Sequence, residues 1–340
     1  YSSAASDVYK RQCENCISMK SLREKKQAAK LEFLDSDIPL HFMVEVSAGA
    51  DSAMVEIRYS HTNIAKIEKN GETIFIADEN EATGGGLTDR SVLTLENIKQ
   101  FADEVPLNLV RPMIERQIRY NMDIAYEGIS GDYGLGIGRV LRESYADGVV
   151  TRMKAYAAAA SEARMSGCDM PVIINSGSGN QGITCCVPVV VYAKELDCTQ
   201  EQLYRALVLS NLTAIYIKTG IGTLSAFCGA VSAGAAAGAG IAYLHNGTYK
   251  EIQHTIVNAL AILSGTICDG AKASCAAKIA SSVDAGIMGY YMYKNKQQFY
   301  AGDGIVAHSV DETIQNIGAL GSQGMLQTND KIIEMMISCD

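Results

Sequence analysis

Three cysteines stand where a thiol could do chemistry: Cys228 in Ser225–Gly229 (SAFCG), Cys268 in Thr266–Lys272 (TICDGAK) and Cys275 in Ser274–Lys278 (SCAAK). All three lie in glycine-rich or helix-terminal stretches, where backbone can approach a bulky group closely. Three thiolates can hold three irons of a [4Fe–4S] cluster and leave the fourth open as a Lewis acid. Spacing alone does not select that reading. The gap between Cys268 and Cys275 is no cluster signature, and small buried thiols are common in protein cores. If one cluster is held, the sulfurs must converge on a single pocket although 47 residues separate Cys228 from Cys275.

The remaining cysteines carry less. Cys13 and Cys16 form a C-x-x-C pair with no second half for a zinc site. Cys168, Cys185, Cys186, Cys198 and Cys339 have no supporting neighbourhood, and vicinal Cys185 and Cys186 point to different faces of a helix. They read as structural.

Gly177–Gly182 (GSGNQG) fits the dinucleotide fingerprint and follows the apolar run Pro171–Asn175. Helices follow it, not the strand ending in Asp or Glu that a ribose needs, so the fingerprint fails its context. What survives is a polar loop. Its backbone, with Asn175, Ser178, Asn180 and Gln181, could hold a small anionic group at a helix N-terminus, and a plain glycine-rich connection remains the alternative. Gly265–Lys272 nearly spells a phosphate loop, but the Lys is displaced and no Ser or Thr follows it. His61-Thr62-Asn63 is either a local turn or a contact to a substrate carboxylate or amino group. His245, His254 and His308 read as surface residues.

These residues need elements to position them. From His41 to Ala77 the apolar pattern has period 2, with Asn70-Gly71 as a hairpin signal, which predicts a small antiparallel sheet. Residues 78–90 are polar and glycine-rich. Beyond them the period becomes helical over 91–103, 109–127, 138–165, 183–196, 199–217, 221–244, 248–265, 271–289 and 309–320. Thr199 and Gln202 form a capping box. The fold class is therefore α+β, a small antiparallel sheet region followed by a predominantly α-helical domain. The expected divisions are an artefactual leader (1–12, adapter-like), a remnant of an N-terminal α+β domain (13–90) and a helical domain (91–340).

Composition excludes several classes. Over 340 residues, 29 basic against 38 acidic side chains give a net charge of −9 and no basic stripe, so nucleic acid is not a partner. Leu224–Leu244 is uncharged and contains Gly234-x-x-x-Gly238, a pattern that also packs membrane helices. Ala and Gly are weakly lipophilic, basic flanks are missing and Trp is absent, so a buried central helix is expected. The cysteine usage fits a reducing, cytoplasmic setting.

The strings HTNIAKIEKNGE (61–72), PVIINSGSGNQGI (171–183), IKTGIGTLSAFCGAVSAGAAAGAGIAYL (217–244), GTICDGAKASCAAKIA (265–280) and DGIVAHSVDETIQNIGALGSQGM (303–325) resemble the L-cysteine desulfidase family, related to the α-chain of iron–sulfur L-serine dehydratases. The resemblance runs from about residue 42 to 337. It implies an oxygen-sensitive [4Fe–4S] lyase without pyridoxal phosphate, with Cys228, Cys268 and Cys275 as cluster ligands. It places His61, Thr62, Asn63, Asn175, Ser178, Asn180 and Gln181 in substrate binding. The family's opening Gly-Cys-Thr-Glu-Pro, whose Cys is a candidate catalytic base, occurs nowhere here, so the catalytic base is left unassigned and the chain is expected to lack its native start. The implied activity is α,β-elimination of L-cysteine to sulfide, ammonia and pyruvate. L-serine dehydration by the same site and a non-catalytic iron–sulfur redox sensor are the alternatives. A small amino acid is the expected partner, with no membrane and with a homodimer left open.

Overall fold

The computed structural model describes residues 40–59, 62–78, 88–222 and 224–337, together with 32, 34, 36 and 38. They divide into two compact units, one holding the sheet and one comprising residues 90–334.

The sheet is an antiparallel meander in the order β1 (Phe42–Ala48), β2 (Asp51–Ile57), β3 (Ile64–Lys69) and β4 (Glu72–Ile76). Asn70 and Gly71 both have positive φ (52° and 79°), the backbone twist that a two-residue hairpin requires. The period-2 pattern makes the strands without giving them a regularly buried face. Strands β1 and β4 are exposed throughout. Glu56 on β2 is buried, with His41 at 2.7 Å and Arg58 at 2.6 Å as partners.

The second unit is helical: α1 (Leu95–Glu104), α2 (Leu107–Ser130), α3 (Ile137–Ser144), α4 (Val149–Met165), α5 (Gly179–Glu195), α6 (Gln200–Ile221), α7 (Gly229–Leu244), α8 (Tyr249–Ile262), α9 (Cys275–Lys294) and α10 (Val310–Ala319). A single π-helical turn follows (Leu320–Gly324), and α11 covers Leu326–Ile337. Two expected helices are interrupted. The stretch 138–165 breaks between Ser144 and Val149, and 221–244 breaks after Ile221, where Gly222 ends α6 at φ 88°. Residues 222 and 224–228 run outside any helix, and α7 begins only at Gly229 with Cys228 as its N-cap. The capping box at Thr199 and Gln202 forms as expected, and Thr248 with Glu251 and Ser309 with Glu312 add two more.

Helix α7 is the centre of this unit. It packs against α5, α6, α8 and α9, and nearly all of its residues are buried. Among the described residues, no helix is long and apolar enough to cross a membrane. The Gly234-x-x-x-Gly238 pattern instead lets α7 lie against the backbone of α9. A Cβ on Gly238 would stand 2.5 Å from the Gly286 carbonyl oxygen, and one on Gly234 would strike the Ser282 carbonyl. The residue numbers of these contacts rise together, so α7 and α9 run parallel and begin at the same end.

His245 and His254 are not surface residues. His245 is half-buried and stacks on Tyr290 (5.1 Å between ring centroids), while His254 stacks on Tyr293 (5.0 Å). His245 at the end of α7 and His254 within α8 are both covered by tyrosines of α9, which periodicity alone does not reveal.

The α7–α9 seam generates a prediction. A Cβ on Gly286 would collide with the Gly234 carbonyl oxygen, and backbone yields less readily than a side chain. Gly286→Ala should cost about 1–3 kcal/mol. The melting temperature in thermal circular dichroism should fall by about 2–4 °C per kcal/mol. An unchanged melting temperature would refute the seam.

Candidate active site

The parallel start of α7 and α9 brings two cysteines to one end of the bundle: Cys228 caps α7 and Cys275 is the first residue of α9. Between them, the chain leaving α8 returns beside the approach to α7. Phe227 and Ile267 form an antiparallel bridge, the Cys228 N–H donates to Thr266 O (3.2 Å) and the Cys268 N–H to Ala226 O (2.6 Å). Because Phe227 and Ile267 face each other, the residues after them share the opposite face. The Cys228 and Cys268 thiols accordingly lie close enough to act on each other. That pairing draws Cys268 below the ordinary thiol range and pushes Cys228 well above it.

Backbone amides add to this. The Ala230 N–H points at the Cys228 sulfur and the Gly270 N–H at that of Cys268. On the other side of Gly270, its carbonyl accepts from the Cys275 thiol (3.6 Å). All seven described cysteines are free thiols.

Cations surround the thiols. Burial pushes the Lys218 ammonium down, and the nearby Cys268 and Cys228 oppose this. Burial acts likewise on the Arg164 guanidinium, opposed by Cys275. Lys278 lies within the electrostatic reach of both Cys228 and Cys275. Its ammonium donates to Ile267 O (3.0 Å) and to Asp269. Lys272 also bonds Asp269 (2.8 Å), and the two lysines hold the Asp269 carboxyl down at about 2.

The glycine-rich loop borders this group. Ser176 and Gly177 have positive φ (49° and 79°) and close a tight turn, with paired bonds between Asn175 and Ser178 (3.1 and 3.0 Å). Ser178 then caps α5 by accepting from the Gln181 N–H (3.4 Å). Asn175 is a positioning residue here: its amide donates to Asn211 O and Oδ1 (3.1 Å each) and its Oδ1 accepts from Ser176 Oγ (2.8 Å). Asn180 Oδ1 accepts from Arg164 Nη1 (3.2 Å). Gln181 is buried with its Oε1 unpartnered, and its side chain lies against Gly229, next to Cys228. A Cβ at Gly229 would stand 2.5 Å from Gln181 Nε2, so only glycine allows this approach.

Gln181 and Asn180 therefore join the three cysteines, while Asn175 and Ser178 shape the turn. Thr62 and Asn63 lie in the sheet unit between β2 and β3, where Asn63 Nδ2 donates to Arg58 O (2.9 Å). His61, Cys13, Cys16 and Cys339 fall outside the described residues. Among the described residues, no three His, Cys, Asp or Glu side chains lie close enough to share a single metal ion. Two open clefts of about 460 and 380 Å³ lie around Phe299 and around Arg205, and neither is lined by the three cysteines.

Sequence reasoning missed Arg164, Lys218 and Lys278. A signal existed: on their helices none has an Asp or Glu three or four residues away, whereas Lys99, Arg111 and Arg205 each have one and pair with it.

The loop owes its place to Asn121, fully buried on α2. Its side chain accepts from the Ile173 N–H (2.9 Å) and donates to Gly182 O (3.0 Å). Asn121→Ala leaves that N–H without its partner and should cost about 1–3 kcal/mol. Hydrogen exchange at the Ile173 amide should accelerate. Exchange at the wild-type rate would show that Asn121 does not hold the loop.

A sequence model of the serine dehydratase alpha chain family matches residues 14–334. The chain is 53% identical over 308 residues to a UPF0597 protein of Desulfitobacterium hafniense, covering 91% of this chain and 72% of that protein. A UPF0597 protein of Lachnoclostridium phytofermentans is 48% identical over 307 residues, covering 90% and 73% of the two chains. One of Treponema denticola is 44% identical over 318 residues, covering 92% and 74%. With cysteines, cations and glycine loop all inside the matched region, the chain belongs to the serine dehydratase alpha chain family.

Proposed function

We propose that this protein is a cytoplasmic iron–sulfur lyase that converts L-cysteine to sulfide, ammonia and pyruvate. The observation that carries the reading is the gathering of Cys228, Cys268 and Cys275 with three cations beside the unpartnered Gln181. Membership of the serine dehydratase alpha chain family supports lyase chemistry.

The donor set suits a [4Fe–4S] cluster. The thiols are soft ligands spread around Gly270, as a cluster several ångströms across needs, and Lys218 and Lys278 offset thiolate charge. Cys228, Cys268 and Cys275 would hold it, giving up the thiol–thiol contact to do so. Bound there, the cluster supplies Lewis acidity toward a departing β-substituent. The first turn of α5 presents backbone N–H groups and the Gln181 carbonyl to a small zwitterion.

The reaction removes the α-proton of cysteine and breaks the Cβ–S bond, releasing hydrosulfide and aminoacrylate. Aminoacrylate tautomerises to an imine, which water hydrolyses to pyruvate and ammonia. L-serine, with hydroxide in place of hydrosulfide, is the second reading, and the family's description favours it. A redox sensor would close the fourth iron with another thiol. Cys185 bonds Gly182 O (3.5 Å) and Asn211 Oδ1 (3.4 Å), and burial pushes the Cys185 and Cys186 thiols up. Those partners favour the lyase.

In anaerobically purified protein, Cys228→Ser, Cys268→Ser and Cys275→Ser should each abolish the brown iron–sulfur absorbance, while Cys198→Ser should keep it. Retained absorbance would remove that cysteine from the ligand set. Sulfide release from L-cysteine should exceed pyruvate release from L-serine at equal concentration. The reverse order would move the assignment to serine.

A further inference from the structure

We propose that Arg164 is the anchor that grips the carboxylate of this site's amino-acid substrate. The inference deepens the lyase reading and rests on it.

Arg164 lies in the last turn of α4, half-buried, with its guanidinium lying against the start of α5. Its polar contacts are Asn180 Oδ1 (3.2 Å) and the Met165 sulfur (3.1 Å), both from Nη1. Among the described residues no carboxylate pairs with it, whereas Lys278 pairs with Asp269 and Lys154 with Asp284 (2.7 Å). A Cβ on Gly179 would strike Arg164 Nε, so glycine there is what lets the guanidinium reach the first turn of α5. The earliest N–H groups of that turn precede the helix's own hydrogen-bond ladder and face outward. A planar five-donor fork beside free backbone N–H groups is the arrangement that grips a carboxylate with two parallel bonds.

An independent observation points to the other end of the ligand. Gln181, 6% exposed, holds a buried carbonyl oxygen with no partner. It is an acceptor next to Gly229 and Cys228, and a substrate ammonium supplies the missing donor. The two ends define a zwitterion, with Arg164 near Cys275 taking the carboxylate and Gln181 near Cys228 taking the ammonium. Its β-substituent then faces the thiols.

The test uses L-alanine, which has no leaving group, and L-alaninamide, which lacks the carboxylate. Binding of each to the anaerobic, cluster-loaded protein is measured by calorimetry alongside visible absorbance. Wild type should bind L-alanine more tightly than the amide. Arg164→Gln should weaken L-alanine about 30-fold or more, as loss of one partner of a buried charge pair does. It should leave the amide unchanged and the absorbance intact, and Arg164→Lys should recover part of the preference. A merely structural arginine would weaken both ligands equally. Equal loss for both, L-alanine binding at wild-type strength, or loss of absorbance in Arg164→Gln each overturns the anchor. Wild type that binds L-alanine with the expected preference yet releases no sulfide or pyruvate overturns the lyase reading alone.

Discussion

The contact between the backbones of α7 and α9 at Gly234, Gly238 and Gly286 sets the position of the thiols. Gly234 lies six residues after Cys228, and its neighbour Ser282 lies seven after Cys275. Running the two parallel helices back from the seam therefore brings both cysteines to nearly the same level. Larger side chains at the seam would separate the helices and move Cys228 away from Cys275. The absence of bulk in the centre of the bundle is thus a requirement of the site, and it explains why so polar a cluster can sit at the end of so apolar a helix.

Charge at that end has one sign from several sources. Helices α5, α7 and α9 all start there, and each contributes the positive end of its dipole. Arg164, Lys218 and Lys278 add formal charges, and Asp269 cancels part of them through Lys272 and Lys278. A pocket so biased attracts thiolates and carboxylates and resists further cations. Within it the Cys268 thiol is drawn toward ionisation, the state in which sulfur is a ligand.

Much of this was legible in the sequence, and the exceptions are physical. The hairpin at Asn70-Gly71, the capping box at Thr199 and the buried small-residue helix follow from local chemistry, which needs no knowledge of the neighbours. The break after Ile221 was missed because Leu224–Phe227 is as apolar as a helix interior. Its backbone is held in the bridge to Ile267, a contact some forty residues away in sequence. Asn175 and Gln181 look alike in the loop, yet one is consumed by Asn211 and the other left unpartnered, a difference set by α6 and α7. Family resemblance selected Cys228, Cys268 and Cys275 where spacing could not. It said nothing of Arg164, whose role depends on which carboxylates are absent around it.

The parallel run of α7 and α9 also divides the site by contour length. Two helices can start at the same end only if the chain travels back between them, which is the work of α8. All three thiols therefore come from one unbroken helix–helix–helix stretch, residues 228–294, while Arg164 and Gln181 come from the earlier pair α4 and α5. The sulfur half is local in sequence, and loop closure within it costs little. The half that meets the zwitterion packs against the sulfur half along α4 and α5, and at the site Gln181 docks on Gly229 across almost fifty residues. The sulfur half and the recognition half are thus separate segments of the chain, and they meet at the site where position 229 has no side chain.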